Sequence, residues 1–191
     1  MSEVLAPTKQ KNAIPVRGQH HKFMLIPVMA HNADWFEAGP VTFAVEARVL
    51  GDGKGNVGER GASLHVFNAD RSEEYARFDC FSLYPHYHYI LNDLQHNVVW
   101  GYDPDVNGPM QAWAVASVRH RLPAILRRAG AVGLAERVEA EGVDGAVLDK
   151  VERAMTAAYE RTFTASGMIE EGEEGYRRWK EIHPQFNTVD D

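Results

Sequence analysis

EEYARFDCFSLYPHYHYIL, residues 73–91, holds two runs of strand-forming residues, 73–81 and 86–91, separated by the turn-like Ser82-Leu83-Tyr84-Pro85. Successive side chains of a strand point to opposite faces, so the pairing of these runs sorts their residues into two sets. Arg77, Asp79, His86 and His88 fall on one face. Ala76, Phe78, Cys80, Tyr87, Tyr89 and Leu91 fall on the other, which is apolar and is therefore expected to face the core.

Working outward, residues 62–67 and 98–102 add strands on either side, joined through the turn sequences NADRS and NDLQHN. Four consecutive strands with short links predict an antiparallel meander. Residues 41–50 alternate Val41, Phe43, Val45, Ala47 and Val49 against Thr42, Ala44, Glu46 and Arg48, a half-buried strand. The glycine-rich residues 51–61, GDGKGNVGERG, lead from strand to strand and lack a following Gly-Lys-Ser/Thr, which excludes a phosphate-binding loop. Counted from Asp52, Lys54 and Val57 fall where a calcium loop needs a ligand and a glycine. A hairpin connection is expected there. Residues 23–29, interrupted by Pro27, read as an edge strand, and residues 31–38 as one or two helical turns with Asn32 as a cap.

Downstream the period changes. Gly108-Pro109 reads as a helix start, with the helix stopping or kinking near Pro123 and ending at Gly130. Residues 134–140 predict a short helix. Asp144 then caps a long amphipathic helix that places Val147, Leu148, Val151, Met155, Ala158, Tyr159, Thr162 and Phe163 on one stripe and ends at Gly167. Behind the acidic residues 170–174, residues 174–183 carry Tyr176, Trp179 and Ile182 at helical spacing.

The fold class is thus α+β: an antiparallel meander of about five to six strands packed by C-terminal helices, one of them long and amphipathic. Residues 1–20, with Pro7, Pro15 and Gly18, are expected to form an extended arm, residues 21–167 a single domain, and residues 168–191 an acidic extension with a short helix. The sheet should occupy about 22–103 and the helices about 109–166, leaving one sheet face free for a site or partner.

Composition narrows the function. The formal charge is −7; residues 133–191 carry 14 acidic and 7 basic groups, and the first 132 balance at 13 and 13. That distribution argues against nonspecific nucleic-acid binding, which needs a basic surface. Arg119, Arg121, Arg127 and Arg128, with no acid between them, form either a solvated helix face or an anion patch. No run is long and apolar enough to cross a membrane, and residues 1–11 carry no secretory pattern, so a cytoplasmic protein is expected. The single cysteine, Cys80, excludes an internal disulfide framework and a thiolate metal cage, and reads as a buried strand residue.

His86 and His88 are spaced as metal ligands on a strand. With residues 82–85 as the hairpin loop, Asp79 comes opposite His88 and Arg77 opposite Ile90. The next hairpin admits two registers, with either Val99 or Gly101 beside His88, and the second brings Asp103 opposite His86. His86, His88 and Asp79, with Asp103 as a fourth, make a set of imidazole and carboxylate donors suited to a divalent iron, zinc, manganese or copper ion. His65 is expected opposite Tyr75, roughly 13 Å along the strand from Asp79 at about 3.3 Å per residue. The alternatives for the same residues are a structural His-Asp pair and metal-free acid/base chemistry by His88 oriented by Asp79. His20, His21, His96, His120 and His183 read as surface residues.

His86-Tyr87-His88 resembles the paired histidines of cupins, which place an acid shortly after the second histidine and a third histidine on a later strand. Tyr89, Ile90, Leu91 and Asn92 follow here, so the resemblance covers two residues. The order of elements is similar to that of helix-grip ligand-binding domains, and RFDCF followed by PHYHY resembles signatures of small uncharacterised bacterial proteins. Two functions follow as expectations. One is a metal-dependent hydrolase or oxygenase with His86, His88 and Asp79 as ligands, His88 and Asp79 in catalysis, and Arg77 positioning an anionic group. The other is a non-catalytic subunit or ligand-binding module, docking through its Tyr/His face or N-terminal arm, or holding a ligand among Tyr87, Tyr89, Trp100 and Trp113. Unpaired sheet edges predict a homo-oligomer, a homodimer for instance, or a place in a larger complex.

Overall fold

A computed structural model describes residues 19–23, 33–51, 57–94 and 96–164. Seven antiparallel strands form one sheet: β1 (Gln19–Phe23), β2 (Ala33–Ala38), β3 (Val41–Gly51), β4 (Val57–Asn68), β5 (Glu74–Phe81), β6 (His86–Leu91) and β7 (His96–Gly101). Their order, β1-β7-β6-β5-β4-β3-β2, makes β2 to β7 a six-strand meander with β1 added beside β7. The helices follow: α1 (Pro104–Asn107), α2 (Met110–Arg128), α3 (Val132–Glu141) and α4 (Gly145–Thr164). This is the α+β architecture that the alternation and the later helical period predict.

Several local expectations are corrected. Residues 33–38, expected as helical turns, are strand β2, because Gly39 and Pro40 close a two-residue hairpin in which Ala38 pairs with Val41. The first position of such a turn needs a positive φ, and Gly39 takes +70°. The strand begun at Phe23 ends there among the described residues; residues 24–29 lie outside them, as do 1–18, the helix end at Gly167 and the acidic extension. Pro123 does not end α2. It removes one bond to the preceding turn, but Leu122, Ile125 and Leu126 on either side are buried in the core and hold the helix in place. α1, which the sequence did not suggest, starts where Asp103 Oδ1 accepts from Asp105 N at 3.1 Å.

The α4 cap is as expected, with Asp144 Oδ1 accepting from Ala146 N at 2.8 Å. Its buried stripe of Leu148, Val151, Met155 and Ala158 meets Ala114, Val118 and Leu122 of α2 over Phe43, Leu64, Val66, Ala76 and Phe78 of the sheet. Burying each large side chain contributes about 1.5–3 kcal/mol, and this layer is what keeps β3 to β5 in place. No described helix is long and apolar enough to cross a membrane.

The other sheet face is polar and nevertheless closed. Thr42, Glu46, Ser63, His65, Arg77, Asp79, His86 and His88 are each less than 9% exposed within the single chain. This is the face expected to be free for a site or a partner; its polar side chains are buried, and Asp79, His86 and His88 lie together among them. A buried ionisable group is tolerated only with hydrogen-bonded or charged partners, so these residues are organised by one another.

Candidate metal centre

Strand register sets the site. Asp79 pairs with His86 and Arg77 with His88, two residues displaced from the expected pairing of Asp79 with His88. A shift of two keeps every side chain on its face, so the same residues converge with different neighbours. On the next hairpin His88 pairs with Val99 and His86 with Gly101. This register takes Asp103 beyond the sheet, where it caps α1; it is not grouped with the other three donors.

Asp79, His86 and His88 bring one ligand atom each within 4.8 Å of one another. The two oxygens of Asp79 serve different partners. Ser63 Oγ (2.5 Å) and Arg48 Nη1 (3.2 Å) donate to Oδ1. Oδ2 lies 3.2 Å from His86 Nε2 and 3.0 Å from His88 Nε2. Burial opposes the Asp79 charge, but the two histidines and the Arg48 cation hold its carboxyl well below the usual range.

The far side of each imidazole decides what its Nε2 can do. His86 Nδ1 lies 2.7 Å from the Tyr84 carbonyl oxygen, which can only accept, so Nδ1 carries the proton. The Nε2 of a neutral His86 then presents a lone pair to Asp79. His88 Nδ1 faces Asn97 Oδ1 at 2.9 Å in the same sense, and burial pushes the His88 pKa below 6.5, which favours the neutral ring. With the proton on Nδ1, a neutral imidazole turns its Nε2 lone pair toward Asp79 Oδ2, a disposition in which one cation would be held by all three atoms. Histidines that hold a metal characteristically donate their other N–H to a carbonyl or carboxylate in this way.

Beside this set stands a second buried network. The β4–β5 turn, which pairs Phe67 with Glu74, and the bulge between Val66 and Phe67 together bring His65 opposite Arg77 rather than Tyr75, nearer to Asp79 than expected. His65 does not join the donors, because both nitrogens face glutamates. Nδ1 donates to Glu74 Oε1 at 2.8 Å, and Nε2 lies 3.4 Å from Glu46 Oε2 without hydrogen-bond alignment. Burial would lower its pKa, but the two glutamates outweigh it and raise it above 6.5. Arg77 donates from Nε (2.9 Å) and Nη2 (2.6 Å) to Glu74, a bidentate pair that leaves it a fixed positive charge beside Asp79.

The remaining sequence candidates lie elsewhere. Cys80 is buried on the core face, and burial pushes its thiol well above the ordinary range, away from nucleophilic use. Tyr87 contacts Trp113 at 5.0 Å and Phe78 at 6.1 Å between ring centres, an aromatic cluster on the helix side. A cavity of roughly 250 Å³ lies between α2 and α4, lined by Ala112, Val115, Met155 and Tyr159. Arg119 pairs with Asp149 and Arg127 with Glu139, while Arg128 lies over Tyr89. Sequence reasoning missed Arg48, Ser63 and Asn97. Alternation alone put Arg48 on a polar face, but its approach to Asp79 depends on three strands in register.

One family model matches residues 35–155, which span β2 to α4 and include every residue of the centre, and it is described as a domain of unknown function, DUF7700. No curated protein and no solved structure matches the chain.

Proposed function

The chain belongs to the DUF7700 family, and from the geometry of its own side chains we propose that it binds one divalent transition metal through His86 Nε2, His88 Nε2 and Asp79 Oδ2. The observation that carries this reading is the Tyr84 carbonyl on His86 Nδ1, which turns the Nε2 lone pair toward a carboxylate oxygen 3.2 Å away. Two neutral nitrogens and one oxygen without a thiolate suit iron, zinc, manganese or copper, and three protein donors leave positions for water or substrate. With Oδ1 held by Ser63 and Arg48, Asp79 acts as a ligand through Oδ2 alone. Bound there, a metal would polarise a substrate oxygen or lower the pKa of a bound water, the chemistry of a hydrolase or an oxygenase. In this reading the protein is a cytoplasmic enzyme, His88 and Asp79 touch the reacting centre through the metal, and Arg77 adds positive charge that favours an anionic substrate. Among the described residues β1 and β2 are the edge strands of the sheet, and self-association through such edges is part of this reading.

The test is elemental analysis of untagged protein prepared without chelator, beside the His86→Ala/His88→Ala double variant, followed by titration of each with Co²⁺ as a spectroscopic probe. We expect near-stoichiometric metal, or a saturable ligand-field band, in the native protein and neither in the variant. Native protein that is metal-free and develops no Co²⁺ band would overturn the reading. A second reading then takes its place: a structural pairing of His86 with Asp79, for which the 3.2 Å separation is equally suited.

A further inference from the structure

Glu59, on β4, lies outside the donor set, is 8% exposed, and sits beneath the β5–β6 turn. Its carboxylate accepts from five donors: Arg60 N (2.8 Å), Ser82 N (3.0 Å), Ser82 Oγ (2.8 Å), Leu83 N (3.0 Å) and Tyr84 N (2.8 Å). Three successive backbone N–H groups converging on one anion form a nest, normally an anion-binding feature, here filled by a side chain of the same chain. The residue at the end of that nest, Tyr84, supplies the carbonyl that accepts from His86 Nδ1.

We propose that Glu59 is a positioning residue: by filling the nest of residues 82–84 it aims the Tyr84 carbonyl at His86, fixes the His86 proton on Nδ1, and so sets the affinity of the centre for metal. The affinity half of this inference rests on the metal reading above; the tautomer half does not. A glutamine at this position keeps the shape but replaces one acceptor oxygen by an NH₂ group facing backbone N–H donors, so the turn must rearrange. Outer partners of metal-ligating histidines typically alter affinity by about 10–100-fold when removed.

The experiment measures two quantities in native protein, Glu59→Gln and Ser82→Ala. One is the His86 tautomer in metal-free protein, from long-range ¹H–¹⁵N correlation spectra; the other is Zn²⁺ affinity by competition with a chromophoric chelator. Native protein should carry the neutral His86 proton on Nδ1. E59Q should lose that preference and bind Zn²⁺ about 10–100-fold more weakly, while thermal unfolding stays cooperative. S82A removes one of the five donors and should move both readouts less in the same direction, and it carries the test should E59Q fail to fold. An unchanged His86 tautomer in the folded variants overturns the proposal. Native protein that takes up no Zn²⁺, yet shows the tautomer shift in E59Q, would overturn the metal reading and leave the link from Glu59 to His86 standing.

Discussion

His65 shows how a single side chain ties the closed polar face together. Its ring lies between Glu74 and Glu46, and the two carboxylates are in turn held low, Glu74 at about 2 against the opposing effect of burial. A histidine whose pKa rises on folding contributes stability that is complete below its unfolded pKa of about 6.5 and fades as pH climbs through the higher folded value. Urea unfolding of native protein and His65→Gln should therefore show a stability gap that narrows from pH 6 to pH 9. A gap that stays constant or widens would show that His65 is neutral in the fold. The carboxylates work in the opposite direction. Asp79, Glu74 and Glu46 are depressed in the folded state, so their contribution is present above the ordinary values of 3.8 for the aspartate and 4.5 for the glutamates and is lost as pH falls through the folded ones. Acid unfolding should therefore set in below pH 4.5 and continue toward about 2, the value for Glu74, which circular dichroism against pH will register.

At the scale of elements, the centre depends on how closely β4 and β5 approach. Gly61 pairs with Phe81, and a Cβ there would lie 2.3 Å from the Cys80 carbonyl oxygen and 2.8 Å from Phe81 Cα. Those are backbone atoms of the strand that carries Asp79, so they can yield only by moving the strand. Gly61→Ala should cost roughly 1–3 kcal/mol, as overpacking does, and should weaken metal binding although it touches no ligand. Denaturation midpoints together with a Co²⁺ titration will measure both; a stable variant with native affinity would mean that the strands separate without disturbing the centre. On the opposite layer, Met155 of α4 is fully buried between α2 and the sheet. Met155→Ala should cost about 2–5 kcal/mol by leaving a cavity, with the polar face unaffected apart from the general loss of stability.

For the molecule as a whole, metal affinity and folding are linked, because the three donors come from two strands and the ligand set exists only when the sheet is formed. Zn²⁺ at 100 times its dissociation constant should stabilise the native protein by about 2.7 kcal/mol. For a chain of this size that corresponds to a rise in melting temperature of roughly 5–11 °C. The His86→Ala/His88→Ala variant should show no such rise, and equal shifts in both proteins would assign the effect to sites elsewhere.

Much of this arrangement was legible in the sequence. Alternation is a local property of the strand, so Arg77, Asp79, His86 and His88 were already bound to share a face, and the change to helical period after Gly108 already implied helices on the other. The first conclusion survives the observed change of partners because a register shift of two leaves the faces intact, whereas a shift of one would exchange them. What the tertiary structure alone decided is the pairing. A longer connection, residues 80–85, set Asp79 against His86, the β4–β5 turn and its adjoining bulge together carried His65 to Arg77, and the β6–β7 register sent Asp103 out to cap a helix. Register arises from turns, bulges and contacts between distant strands, and the burial that turns a polar face into a buried centre arises from the whole sheet. A periodicity read along one strand contains neither.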